Sequence, residues 1–346
     1  MVMRFEKPTL RRKDMDAVLQ AMVDEKIGPG ERVSQFVNLL ENTMGTHGTI
    51  SALRSYHDAL SISLAVADIG PGDMIGVSAL SPAIYRHIAE LAGCKLVIGD
   101  IDKETGLLAE SEAHRMVLMG VKAILLHEPC GNIFLPNQFV SFPIPVIEDV
   151  AESFESRFIN DEQRYRGDIV VCAFEEQHVV STGGGAAICC QKEPFISNLQ
   201  HVLTNKPSFE FRQMTDLNAA LGCVQLSILE KHLEKRRELF ERYRLALMKS
   251  RHALFGIRDI DFQTNGQAFS VILESKPDDV IKFAAKYEVA VRPTFRQCVI
   301  DFNDPEGFVR YPNAMPCILR SVSYPIYPFL ATQQVVQIER VIAHAP

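Results

Sequence analysis

Through the first two thirds of the chain, short apolar runs alternate with amphipathic stretches. "MIGVSA" (74–79), "CKLVIGDI" (94–101), "VKAILLH" (121–127), "PVIED" (145–149) and "DIVVCAF" (168–174) read as strands. Several are apolar at consecutive positions, so both faces of the sheet are expected to be covered by helices. Strands alternating with helical patterns predict a mostly parallel α/β sheet. Ligands on such sheets bind in the crevice beyond the carboxyl ends of the strands. Asp149 and the 172–182 segment both follow strands and are expected to face that crevice.

A long helix is predicted over about 217–249, where Leu226, Leu229, Leu233, Phe240, Tyr243 and Leu247 recur at spacings of three, four and seven. The charged run 234–237 reads as its solvated face. This helix is expected to connect a large domain (1–235) to a smaller C-terminal α/β domain (236–346), with "AFSVILE" as a strand and "SKPDDVIKFAAKYEV" as a helix. No repeat or low-complexity linker interrupts the chain.

Composition narrows the partners. The 346 residues are 47% hydrophobic and 23% charged, with a net charge of −7 and no clustered Lys/Arg stripe, which argues against nucleic acid. No apolar run approaches a membrane span and the N-terminal stretch lacks a signal-peptide core, so a cytoplasmic protein without a membrane partner is expected. Eight cysteines without a C-x-x-C pair read as reduced, mostly buried thiols and suggest no metal site. Cys189 and Cys190 read as core.

Several segments then fall in a recognisable order. They are "KPTLRRKDMDAVLQAMVDEKIGPGERVSQFVNLLENTMG", "IGPGDMIGVSA", "GDIDKETGLL", "VIEDVAES", "FRQMTDLNAALGCVQLSILEKHLEKRRELFERY", "VRPTF" and "SVSYPIYPFL". With these the chain resembles, nearly end to end, the DegT/DnrJ/StrS sugar aminotransferases, PLP enzymes of fold type I. The resemblance implies a homodimer with the pocket at its interface, and places Asp149 at the position that holds the cofactor's pyridinium nitrogen. A carboxylate there keeps the ring protonated and able to act as an electron sink.

Other pocket positions depart from the family pattern. Glu152 stands where Gln packs the ring. In "SYHDAL" (55–60), Tyr56 and His57 replace the Gly and Thr of the phosphate loop, and Asp58 follows. In "CAFEEQH" (172–178), Ala173 replaces a phosphate-binding Ser and His178 replaces the Schiff-base Lys. In "SFEFR" (208–212), Glu210 replaces the Asn that reaches the phosphate across the dimer, while Arg212 is kept.

Imidazole cannot form the stable imine that a lysine amine forms. A dehydratase of the family carries His at that position, however, as an acid/base beside a non-covalently held cofactor. The lost phosphate ligands weigh against that route here. A carboxylate about 4 Å from a phosphate charge costs roughly 4 kcal/mol at an effective dielectric near 20. "TGGG" (182–185) reads as a tight turn into the next strand rather than a phosphate cradle.

Three functional readings follow. The first is a degenerate family member holding no cofactor. It would serve sugar or polysaccharide biosynthesis as a binding or regulatory subunit, pairing with an active homologue or binding a nucleotide-linked sugar. The second is an enzyme with PLP or PMP bound non-covalently, acting on a nucleotide-linked sugar with His178 as acid/base. The third is an acidic pocket for a metal or cationic ligand, formed by Asp58, Asp149, Glu152, Glu175, Glu176 and Glu210 converging with His57 and His178.

Overall fold

A computed structural model describes residues 3–46, 48–136, 138, 142–161, 163–205, 211–301 and 303–346. Strands β1 (Thr49–Leu53), β2 (Met74–Ser78), β3 (Lys95–Gly99), β4 (Ala123–His127), β5 (Val146–Asp149), β7 (Ile169–Ala173) and β8 (Ala186–Cys190) form one sheet, ordered β1-β8-β7-β5-β4-β2-β3. From β3 across to β7 the pairs are parallel, while β8 runs antiparallel to both β7 and β1. The five strands read from the apolar runs are all present.

Neighbouring residues on each strand point to opposite faces, and each face has its own helices. Val171, Ala173, Ile188 and Cys190 pack under α3 (Tyr56–Val66), α4 (Ile84–Ala92) and α6 (Phe195–Asn205). Val170, Cys172, Ala187 and Cys189 pack under α2 (Glu31–Met44), α7 (Asp216–Ser227) and the start of α8 (Leu229–Leu247). α5 (Glu110–Leu118) covers Ile124, Leu126 and Val146 on the remaining part of the second face. Cys189 and Cys190 are therefore core on opposite sides, and all eight thiols are free. α1 (Arg12–Val23) lies against α7.

The predicted long helix is two helices. Ile228, at φ −119° and ψ 8°, breaks it between α7 and α8. The apolar stripe runs through the break without a change of phase, which is why the sequence pattern does not reveal it. α8 then changes cores along its length. Leu229 and Leu233 belong with the large sheet, whereas Leu239, Tyr243, Ala246 and Leu247 belong with the second one.

That second sheet is antiparallel and four-stranded, ordered β12 (Arg292–Pro293), β13 (Ser321–Tyr324), β11 (Phe269–Ile272), β9 (Ala253–Leu254). It is packed by α8, α9 (Pro277–Ala285) and α12 (Thr332–His344). Short helices α10 (Gly307–Arg310) and α11 (Ala314–Arg320) precede β13, and β6 (Arg157–Phe158) pairs with β10 (Phe262–Gln263) as a separate ribbon. Among the described residues no helix is long and apolar enough to cross a membrane.

At the centre of the second core, the fully buried Phe269 ring lies 5.1 Å from Phe240, 5.4 Å from Tyr243 and 6.4 Å from Tyr324. Phe269→Ala is expected to destabilise the protein by about 3–5 kcal/mol in urea titration, since the cavity left among three rings cannot collapse.

Candidate functional site

Asp149 ends β5 at the carboxyl edge of the sheet and has no exposed surface. Its Oδ2 accepts hydrogen bonds from the phenols of both Tyr56 and Tyr85, and its Oδ1 accepts from the Ala151 amide at 3.0 Å. Tyr56 opens α3 and Tyr85 lies in the first turn of α4, so two helices on one face of the sheet meet at this carboxylate. Burial raises the Asp149 pKa, and the three donors oppose it. The same burial, with the adjacent carboxylate, pushes both phenols well above their ordinary range. They remain protonated donors at physiological pH.

Ala173 and His178 follow from the neighbouring strand. Ala173 ends β7 and is packed in the core. His178 lies in a turn closed on itself: its amide donates to Glu175 O at 3.1 Å, and its Nδ1 accepts from the Glu175 amide at 3.1 Å. The acceptor role fixes the proton on Nε2. Burial pulls the imidazole pKa down to about 4, so the ring is neutral at pH 7. The segment returns through Gly183, Gly184 and Gly185, all at positive φ (74°, 126° and 143°), directly into β8. The glycine run is the tight turn expected of it.

Asp58 is spent locally. Ser55 Oγ accepts from the Asp58 amide at 3.1 Å and donates to Asp58 Oδ2 at 2.7 Å, capping α3. Arg212 Nε stands 3.7 Å from Asp58 Oδ1. His57 is half-buried with its ring 5.7 Å from that of His87. Glu152 accepts from the Cys130 amide at 2.7 Å, and burial raises its pKa.

Glu175 and Glu176 line a separate shallow groove with Gly183 and Gly184. Glu210 lies outside the described residues. Among the described residues the expected acidic convergence is limited to Asp149 and Glu152, whose charges act on each other. Each described carboxylate has a partner or location of its own, and among the described residues no group of three His, Cys, Asp or Glu side chains could hold a metal.

A cavity of about 530 Å³ opens beside these residues, between the carboxyl edge of the large sheet and the second sheet. His127, Cys130 and Glu152 lie on one side; Arg236, Gln267 and Tyr324 lie on the other. Of the residues named from sequence, Glu152 lines it; Asp149 and His178 do not.

Arg236 corrects the solvated reading of the 234–237 run. Glu234 is exposed, but Arg236 is only 3% exposed. The signal was present in the stripe: Leu233 and Phe240 are seven apart, and the inward position between them is 236. Tyr85 and His127 were also missed. His127 ends β4 as Asp149 ends β5, so strand-end position alone could have singled it out.

Residues 8–343 match the model of the DegT/DnrJ/EryC1/StrS aminotransferase family. The chain belongs to that family. It is similar to the UDP-4-amino-4,6-dideoxy-N-acetyl-beta-L-altrosamine transaminase of Campylobacter jejuni, with 24% identity over 70% of this chain and 69% of the relative.

Two solved structures share the fold. A Streptococcus pneumoniae protein described as a sugar aminotransferase, solved in a PMP form, has a TM-score of 0.88 at 18% identity, covering 100% of this chain and 98% of the other. A GDP-4-keto-6-deoxymannose-3-dehydratase has a TM-score of 0.84 at 17% identity, covering 98% and 99%. The expected aminotransferase fold, a mostly parallel central sheet with a further α/β lobe, is the one observed.

Two outcomes are expected at this site. Tyr56→Phe removes one donor from a fully buried carboxylate and is expected to lower stability by about 1–3 kcal/mol in chemical denaturation. For His178, the unfolded imidazole takes up its proton near pH 6.5 and the folded one only near pH 4. Its neutral form therefore stabilises the fold fully above about pH 6.5, and this contribution is lost as pH falls to about 4. The melting-temperature gap between the wild type and His178→Gln is expected to widen as pH rises from 4 to 6.5, then level off.

Proposed function

We propose that this family member serves nucleotide-sugar or polysaccharide biosynthesis as a binding or regulatory subunit, without transamination through a lysine imine. The observation that carries the reading is the ligation of Asp149. Its Oδ2 accepts hydrogen bonds from the phenols of Tyr56 and Tyr85. The residues present do not fit PLP or PMP. The ring's anchor is satisfied by the protein, the lysine position carries a neutral imidazole bound to its own turn, and Ala173 offers no hydroxyl for a phosphate.

The family's enzymes act on nucleotide-linked sugars, as the names of the transaminase and the dehydratase say of those proteins. A nucleotide-linked sugar is accordingly the proposed ligand class. The proposed assembly is a homodimer, or a heteromer with an active homologue. Eight free thiols support a cytoplasmic location. The proposed domain boundary lies at 235/236, where α8 passes from one core to the other.

Titration of the purified protein with PLP, followed by visible absorbance and melting temperature, tests the reading. The expected result is no saturable change in either signal. Saturable binding in the low-micromolar range would overturn it and restore the alternative in which His178 acts as acid/base beside a non-covalent cofactor.

A further inference from the structure

A surface helix ordinarily turns its apolar face inward and complements its own dipole, with acids in the first turn and bases in the last. α5, α8 and α9 follow this order, with Glu110, Glu230 and Asp278 at their starts and Arg115, Arg244 and Lys282 at their ends. α1 breaks both parts of it.

The residues that α1 buries or half-buries are Asp14, Ala17, Val18 and Ala21, and Asp14 accepts from Gln225 Nε2 of α7 at 2.6 Å. The larger apolar residues lie outside. Met15, Leu19, Met22 and Val23 are 56–68% exposed, and Ile27 just beyond the helix is 57% exposed. Single exposed residues of this kind need no explanation. At i, i+4, i+7 and i+8 they form one stripe along about 12 Å of helix.

The charges are reversed as well. Arg12 and Lys13 open the helix in solvent, whereas its last turn holds no base and the exposed Asp24 and Glu25 follow it. The acid of the first turn, Asp14, is buried on the Arg11 amide at 2.7 Å and on Gln225. Arg12 meets Asp16 at 3.9 Å, with both side chains open to water, and such a pair contributes little. The exposed charges therefore sit at the helix ends where the dipole disfavours them.

A second copy of α1 lying antiparallel accounts for both features. Its apolar stripe covers the first, and its acidic end comes beside Arg12. The contact is isologous, so a two-fold axis through the middle of the stripe satisfies both halves at once.

We propose that the Met15–Val23 face of α1 is the surface through which two copies of this chain associate, with the helices antiparallel and Arg12 of each copy beside Glu25 of the other. This gives a face to the homodimer proposed above and rests on that assembly, but not on whether a cofactor binds.

Sedimentation velocity of the full chain over a wide range of concentration tests the proposal. Leu19→Glu is expected to halve the mass of the assembly and to leave the far-ultraviolet circular dichroism unchanged, since Leu19 lies on the outer side of the helix. By symmetry, Arg12→Glu or Glu25→Arg alone puts two like-charged pairs into the contact, and each is expected to weaken association at least tenfold. The double variant Arg12→Glu/Glu25→Arg is expected to recover most of that loss.

An assembly of the same mass in Leu19→Glu and the wild type would overturn the face and leave association through another surface. A double variant as weak as the single ones would overturn the antiparallel pairing. A wild-type chain that stays monomeric throughout would overturn the face and the homodimer together, and the PLP titration decides the functional reading separately.

Discussion

The carboxylate of Asp149 lies at the end of the central strand of a mostly parallel sheet, out of reach of water, and three donors have to compensate its burial. Two of them are phenols from α3 and α4, the helices that follow β1 and β2. Their bonds tie the starts of both helices to the carboxyl edge of the sheet. They also turn a position that the family resemblance assigns to a cofactor into an internally satisfied cluster. A ligand arriving there would have to displace two charge-assisted hydrogen bonds before making its own.

The same accounting separates scaffold from site across the molecule. Asp58, His178 and Thr182 look like chemistry in sequence. In the fold each is consumed within a few residues: Asp58 in a helix cap, His178 in its own turn, and Thr182 on Phe174 O and Gly184 O. Arg236, Gln267 and His127 show the opposite condition, with atoms left over after the protein has made its own bonds. Buried polar groups are costly to leave unsatisfied.

Much of the fold was legible because its determinants are local and repetitive. Consecutive apolar residues in 169–173 and 186–190 have no periodicity to misread: both faces are covered, and either Cys189 or Cys190 is buried whichever way the strand faces. The α7–α8 break was hidden because Ile228 interrupts the backbone without shifting the apolar phase. The acidic pocket failed for a different reason. Convergence of Asp58, Asp149, Glu152, Glu175, Glu176 and Glu210 rests on the positions they take in the family's pocket pattern, and a shared pocket position does not say where a side chain finds its partner. Ser55 and Asp58, three apart before an apolar run, could have been read as a cap. Tyr56 was noted only as a replacement. Its bond to Asp149 spans 93 positions, a separation at which sequence patterns carry no geometric information.

The packing of such a fold rests on its apolar clusters. Apolar clusters lie on the two faces of the large sheet and an aromatic core lies in the small one. Ala173 at a strand end adds to one of these clusters, and Tyr56 brings a large ring into it while its hydroxyl neutralises part of the burial cost of Asp149. Arg236 plays a comparable structural part between the two cores, where its guanidinium donates to the carbonyls of Gly266 and Ile326.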